Sequence, residues 1–250
     1  MTEYMVTGYT LPNAYHKALT VLHRFGDIVP CPDYNTEQKE LAMTMVVENP
    51  LGEPMISRCM IAGPRELEQY RQEMLDGILD FEILRGNWPY TYHERMAWQI
   101  PYIIEELRRN PHTRRAAIDV RSPWDLTSDD PACLQHVQYF IRDGKLHCKV
   151  LFRSNDACKA TFMNAFALIM LQERIADKLG VKMGSYTHRA NSFHCYAKDY
   201  DMLNSYVARI NAGRDATYFY KGDWDEQMEE AKPEIAEMVA KLKGERNGTL

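Results

Sequence analysis

No stretch of the 250-residue sequence approaches the roughly 18 consecutive apolar residues that a membrane-spanning helix needs, and the opening MTEYMVTGYT has no basic region followed by an apolar core. Neither a membrane partner nor a secretory leader is expected. The six cysteines, Cys31, Cys59, Cys133, Cys148, Cys158 and Cys195, form no CxxC pair and no dense disulfide pattern, which suits a reducing compartment. A cytoplasmic location follows, and no bound metal is expected. A surplus of positive charge is also missing: the net charge of −5 argues against general nucleic-acid binding, since a phosphate backbone is held mainly by Lys and Arg. No internal repeat and no low-complexity segment is visible. What the chain does have is an ordinary globular balance, 45% hydrophobic and 26% charged, so residues 1–250 are read as one domain with one core.

Apolar periodicity places the elements. Ala14, Ala18, Leu19, Leu22 and Phe25 recur at helical spacing until Gly26, Asp27 to Asn35 reads as loop, and Leu41 to Val47 reads as a strand. Pro64 opens a helix that turns Leu67, Tyr70 and Met74 inward, with Glu66 in its first turn. Gln99 to Asn110 is a further helix, followed by a short strand at Ala116 to Val120. Gln135 to Arg142 and Lys145 to Arg153 alternate on either side of Asp143-Gly144, the signature of a tight hairpin. Phe162 to Leu179 is apolar almost all round and should be a buried central helix ending at Gly180; two shorter strand-like stretches and a surface helix from Asp223 follow. Strands separated by helices around a hairpin make the class α+β, with a mixed β-sheet.

Most free cysteines are small core residues. Cys133 differs because it follows Asp129-Asp130-Pro131-Ala132, a loop that delivers the chain into a strand, and because Arg153, on the returning strand of the hairpin, offers the positive charge that a thiolate needs. Arg108, Arg109, Arg114, Arg115 and Arg121 concentrate basic charge in one stretch of an acidic chain, either a solvated face or a grip for a small anion. Asn164 falls on the buried helix, where an amide needs a partner. His194 and Tyr196, two apart on a strand, point to one face.

Taken in order, Arg114-Arg115, Pro131-Ala132-Cys133, Gln138, Arg153-Ser154-Asn155-Asp156, Asn164, His188 and His194-Cys195-Tyr196 resemble the motif series of thymidylate synthases and their hydroxymethylase relatives, over roughly Tyr92 to Tyr200. The resemblance implies a homodimer of thymidylate synthase-like fold that transfers a one-carbon unit from 5,10-methylenetetrahydrofolate to C5 of dUMP, giving dTMP and dihydrofolate. Position by position it implies that Cys133 adds to C6 of the pyrimidine, and that Arg153 and Ser154 hold the nucleotide phosphate. Arg114 and Arg115 would reach that phosphate from the partner subunit. Asn164 would read the uracil, and His194 with Tyr196 would bind the deoxyribose 3′-hydroxyl. Asp156 would contact the pterin ring. Glu66 would organise water and proton transfer, and Tyr92 would assist loss of the C5 proton.

The sequence also departs from the family. Leu134 stands where a histidine usually follows the nucleophile, Asn191-Ser192 replaces a Gly-Asp pair, no N-terminal phosphate arginine loop is visible, and Asn247 to Leu250 lacks the usual closing tail. These features resemble a shorter branch of the family, found in archaeal-type synthases and phage hydroxymethylases. Two alternatives therefore stand beside the synthase: a (d)UMP or CMP 5-hydroxymethylase using the same folate and nucleophile, and a nucleotide-binding homologue without catalysis.

Overall fold

A computed structural model describes residues 1–213 and 216–244. In chain order the elements are β1 (Glu3–Gly8), α1 (Leu11–Phe25), β2 (Asp27–Cys31), β3 (Thr36–Val47), β4 (Ile56–Ser57), α2 (Pro64–Asp76), α3 (Phe81–Leu84), α4 (Tyr92–Ala97), α5 (Ile100–Arg109), β5 (Ala117–Asp119), β6 (Leu134–Arg142), β7 (Lys145–Asp156), α6 (Thr161–Leu179), β8 (Lys182–Tyr196), α7 (Tyr200–Asn211), β9 (Thr217–Tyr218) and α8 (Asp225–Gly244). The Asn247 to Leu250 tail lies outside the described residues.

The main sheet runs β1-β3-β8-β7-β6-β5, with β2 paired to β3 beyond the end of β1. It is mixed: β7 and β8 are parallel, as are β1 and β3, while the other pairs are antiparallel. The hairpin forms at the expected place. Asp143 and Gly144 both take positive φ, 51° and 70°, the tight turn whose twist matches that of the flanking strands. Helix α6 is buried along most of its length, ends at Gly180 in the left-handed conformation, and packs against β7, β8 and α2. The strands alternate: Val137, Tyr139, Cys148, Val150, Phe152, Tyr186 and Ala190 are buried in the core, whereas Gln138, Phe140, Leu151, Thr187 and Arg189 are half-exposed on the other face.

Two expectations need correction. Asp27 to Asn35 is not all loop, since Asp27–Cys31 is an edge strand, a place where Pro30 costs no ladder bond that the sheet needs. The two short strands expected after α6 are one 15-residue strand, β8, which absorbs Asn191-Ser192 through a register shift against β3 between Leu41 and Met43.

Candidate active site

Because β7 and β8 run parallel and β6 antiparallel to them, the start of β6 and the ends of β7 and β8 lie along one edge of the sheet. That edge brings Cys133 beside Arg153, with Ser154 and Asp156 one strand from His194. A bulge in β6 between Leu134 and His136 bends the strand just past the cysteine. The Leu134 side chain, where a histidine was the family expectation, is fully buried in the core.

Cys133 is half-buried, and its carbonyl accepts the Arg153 backbone N–H at 2.9 Å. The Arg153 side chain is anchored under the same loop, Nε donating to the Ala132 carbonyl at 3.1 Å and Nη2 to the Pro131 carbonyl at 2.6 Å. Burial pushes the Cys133 thiol above its ordinary pKa; the Arg153 guanidinium pulls it down, and Asp130 adds a smaller upward push. The cysteine therefore rests as a thiol, with a cation fixed at hand to stabilise the thiolate.

Tyr92, at the start of α4, accepts the Leu134 N–H on its phenol oxygen at 3.3 Å. Burial holds its proton on, well above the ordinary tyrosine range. With Tyr70, Glu73, Trp88, Tyr90 and Asp130 it lines a cavity of about 310 Å³, three of whose tyrosines, Tyr70, Tyr90 and Tyr92, lie close enough to Cys133 to feel its charge. Asn164 is buried in the first turns of α6, where its Oδ1 accepts a hydrogen bond from the Tyr70 hydroxyl.

His194 and Tyr196 do share a face, their rings 4.8 Å apart and edge-on, and His194 Nδ1 lies 3.3 Å from the Ser154 hydroxyl. Burial lowers the His194 pKa, which favours the neutral ring. Asp156 Oδ1 accepts the backbone N–H groups of Cys158 and Lys159, both at 2.9 Å, and so shapes the turn into α6. His188 lies behind this edge rather than on it. It is buried and pushed down to about 3 by burial, and it bridges the Tyr186 hydroxyl at 2.9 Å and Asn155 Oδ1 at 3.0 Å. Asn155 in turn accepts from Thr161 at 2.7 Å, so the network ties β7, β8 and α6 together beneath the site.

Two groups of expected residues stand apart from the cavity lining. Glu66 turns back to the Gly63 N–H at 3.0 Å, with a carboxylate about half exposed (55%), and serves as a helix N-terminal cap. The carboxyl of α2 that opens on the cavity is Glu73, one turn beyond Tyr70; burial raises its pKa, partly offset by a hydrogen bond from Gln69 at 2.8 Å. Arg114 and Arg115 are exposed near the far end of β6, where the neighbouring Ala116 carbonyl accepts the Tyr139 N–H. The stretch from Cys133 to Tyr139 spans about 20 Å of extended strand, beyond the reach of an arginine side chain.

Tyr70, Glu73, Trp88 and Tyr90 were absent from the sequence reading of the site. An inward tyrosine on an amphipathic helix reads as core, and only the packing of α2 on α6 shows that its hydroxyl meets Asn164. Among the described residues, no group of three or more His, Cys, Asp or Glu side chains could hold a metal ion, and no helix is long and apolar enough to cross a membrane.

The sequence model of the family described as thymidylate synthase matches residues 68–234. A protein of Methanocaldococcus jannaschii, provisionally named a thymidylate synthase, is 33% identical over 209 residues, covering 79% of this chain and 93% of that protein. One of Methanosarcina barkeri with the same provisional name is 30% identical, covering 83% and 96%. The thymidylate synthase of Bacillus licheniformis is 33% identical over a shorter span, 44% of this chain and 40% of its own. In three dimensions the chain matches thermostable thymidylate synthase A from Bacillus subtilis with a TM-score of 0.66 at 18% identity, over 84% of this chain and 86% of that one.

Proposed function

Because the chain belongs to the thymidylate synthase family, and so to a family of one-carbon transferases, we propose that it is a thymidylate synthase, converting dUMP and 5,10-methylenetetrahydrofolate to dTMP and dihydrofolate. The observation that carries the reading is the placement of Cys133 by a fixed Arg153 guanidinium, with Tyr92 bonded to the next residue's N–H and Asn164 joined to the cavity through Tyr70. Cys133 gives up its proton and its sulfur bonds to C6 of the pyrimidine, so that C5 becomes a carbon nucleophile and takes the methylene group from the folate. Loss of the C5 proton, with Tyr92 at hand, breaks the bond between the methylene carbon and the folate nitrogen, so that tetrahydrofolate leaves and an exocyclic methylene remains on C5. Hydride from that tetrahydrofolate then adds to the methylene, giving the methyl group and dihydrofolate, while the C6–sulfur bond breaks and frees Cys133.

Arg153 and Ser154 are assigned to the nucleotide phosphate, Asn164 to the base, and His194 and Tyr196 to the sugar hydroxyl. The aromatic walls of the cavity, Trp88, Tyr90 and Tyr92, suit a flat heterocycle, and Asp156 is assigned to the pterin. The water-organising role expected of Glu66 suits Glu73 better, because Glu73 lines the cavity and Glu66 does not. Arg114 and Arg115 can serve a phosphate at Arg153 only in a second copy of the chain. A homodimer joined through the half-exposed sheet face that carries Gln138, Phe140 and Leu151 is therefore part of the proposal.

The test is turnover. Purified protein mixed with dUMP and methylenetetrahydrofolate should show the near-ultraviolet rise of dihydrofolate and yield a nucleotide heavier by one methylene unit, and Cys133→Ala should abolish both. A hydroxymethyl nucleotide without that rise would make the protein a hydroxymethylase. Nucleotide binding with no turnover of any pyrimidine monophosphate would make it a binding protein.

A further inference from the structure

Asn164 is a buried amide joined to the cavity through Tyr70, which lines it, and an unrestrained amide can present either its oxygen or its nitrogen to a ligand. In this chain it is restrained. The Tyr70 hydroxyl, carried on a different helix, donates to Asn164 Oδ1, while Nδ2 meets no acceptor among the described residues. Rotating the amide by half a turn would take Oδ1 away from the Tyr70 hydroxyl and leave the phenol proton without that acceptor, which opposes the rotation. Tyr70 cannot escape this by ionising, because burial, with Glu73 and Cys133 adding smaller pushes, holds its proton far above the ordinary tyrosine range.

We propose that Tyr70 is a specificity-positioning residue: by holding Asn164 Oδ1 it fixes the order in which the amide offers acceptor and donor, so that the pocket admits only one of the two pyrimidine edges. Uracil presents a donor at N3 and an acceptor at position 4; cytosine presents the reverse. An amide locked in one order satisfies one ring and sets donor against donor for the other, whereas a free amide serves both by rotating. That the favoured ring is uracil rests on the dUMP reading given above. The locking itself does not.

The experiment is calorimetric titration of the wild-type protein and Tyr70→Phe with dUMP and with dCMP, without folate. The expected result is a wild-type preference for dUMP that falls about tenfold or more in Tyr70→Phe, mainly through tighter dCMP binding, since losing the phenol oxygen frees the amide to turn. An unchanged ratio, or an equal loss for both nucleotides, would overturn the proposal and leave Tyr70 a packing residue. A wild-type preference for dCMP that collapses in Tyr70→Phe would uphold the locking and overturn the dUMP reading, so the two failures are distinct. A readout that needs no variant to fold is the side-chain amide resonance of Asn164 in the wild-type protein. It should shift with the preferred nucleotide and stay in place with the other; equal shifts with both would contradict a locked amide.

Discussion

Burial and the Asp130 carboxylate keep the proton on Cys133, and the Arg153 guanidinium works against them. The sign of each contribution gives a prediction. A thiol raised above its ordinary pKa is mostly protonated at neutral pH, so alkylation of Cys133 by iodoacetamide should quicken steadily as pH rises through and beyond the ordinary thiol range. Asp130→Asn removes a negative neighbour and should speed labelling at fixed neutral pH, by about 2–5-fold. Peptide mass mapping separates Cys133 from the half-buried Cys31. Slower labelling in Asp130→Asn would mean that the loop, rather than its charge, sets the reactivity. The sequence made this residue legible because loop, cysteine and arginine follow one another at the spacing of a hairpin. It could not show that the guanidinium is held by the Pro131 and Ala132 carbonyls. Nor could it show that the Tyr70 hydroxyl holds Asn164 Oδ1 from a different helix.

At the scale of elements, the hairpin and the central helix were readable because each carries its own punctuation, Asp143-Gly144 in one and Gly180 in the other. The elements that escaped are those whose signal is shared with a neighbour. The region of strand β8 reads as two shorter stretches, yet pairing on both sides holds it extended through Asn191-Ser192. Helix α7 buries only Leu203 and Val207, too few inward residues for a clear period. Glu66 and Glu73 sit on one helix face, and sequence alone could not say that the first would be spent on a cap. The turn gives a clean test. A Cβ added at Gly144 would meet nothing within 4 Å, so Gly144→Ala should cost only the strain of its φ of 70°, about 1–2 kcal/mol. Urea denaturation should show a lower midpoint with an unchanged slope. A loss several times larger would mean that the register of β6 and β7 depends on this turn.

For the molecule as a whole, the decisive fact is a separation. The cluster that includes Arg114 and Arg115 borders a second surface hollow of about 670 Å³ with Arg109 and His112, away from the cavity beside Cys133. One chain therefore carries the proposed nucleophile and a cationic cluster that cannot meet each other, while the half-exposed face of its sheet has alternating polar and apolar residues suited to a second copy. If a twofold dimer brings the arginines of one subunit to the cavity of the other, each site is built from two chains. Complementation then has a definite outcome. A Cys133→Ala protein and an Arg114→Ala/Arg115→Ala protein should each be nearly inactive. Unfolded together and refolded, they should regain about 25% of wild-type turnover, since half of the randomly paired dimers would hold one site with both an intact nucleophile and intact arginines. Recovery depends on exchange of subunits, so the same proteins mixed without unfolding should stay inactive for as long as the dimers persist. Full activity of the double arginine variant would remove these residues from the site. A monomer by sedimentation, active on its own, would show that the phosphate is held by Arg153 and Ser154 within a single chain.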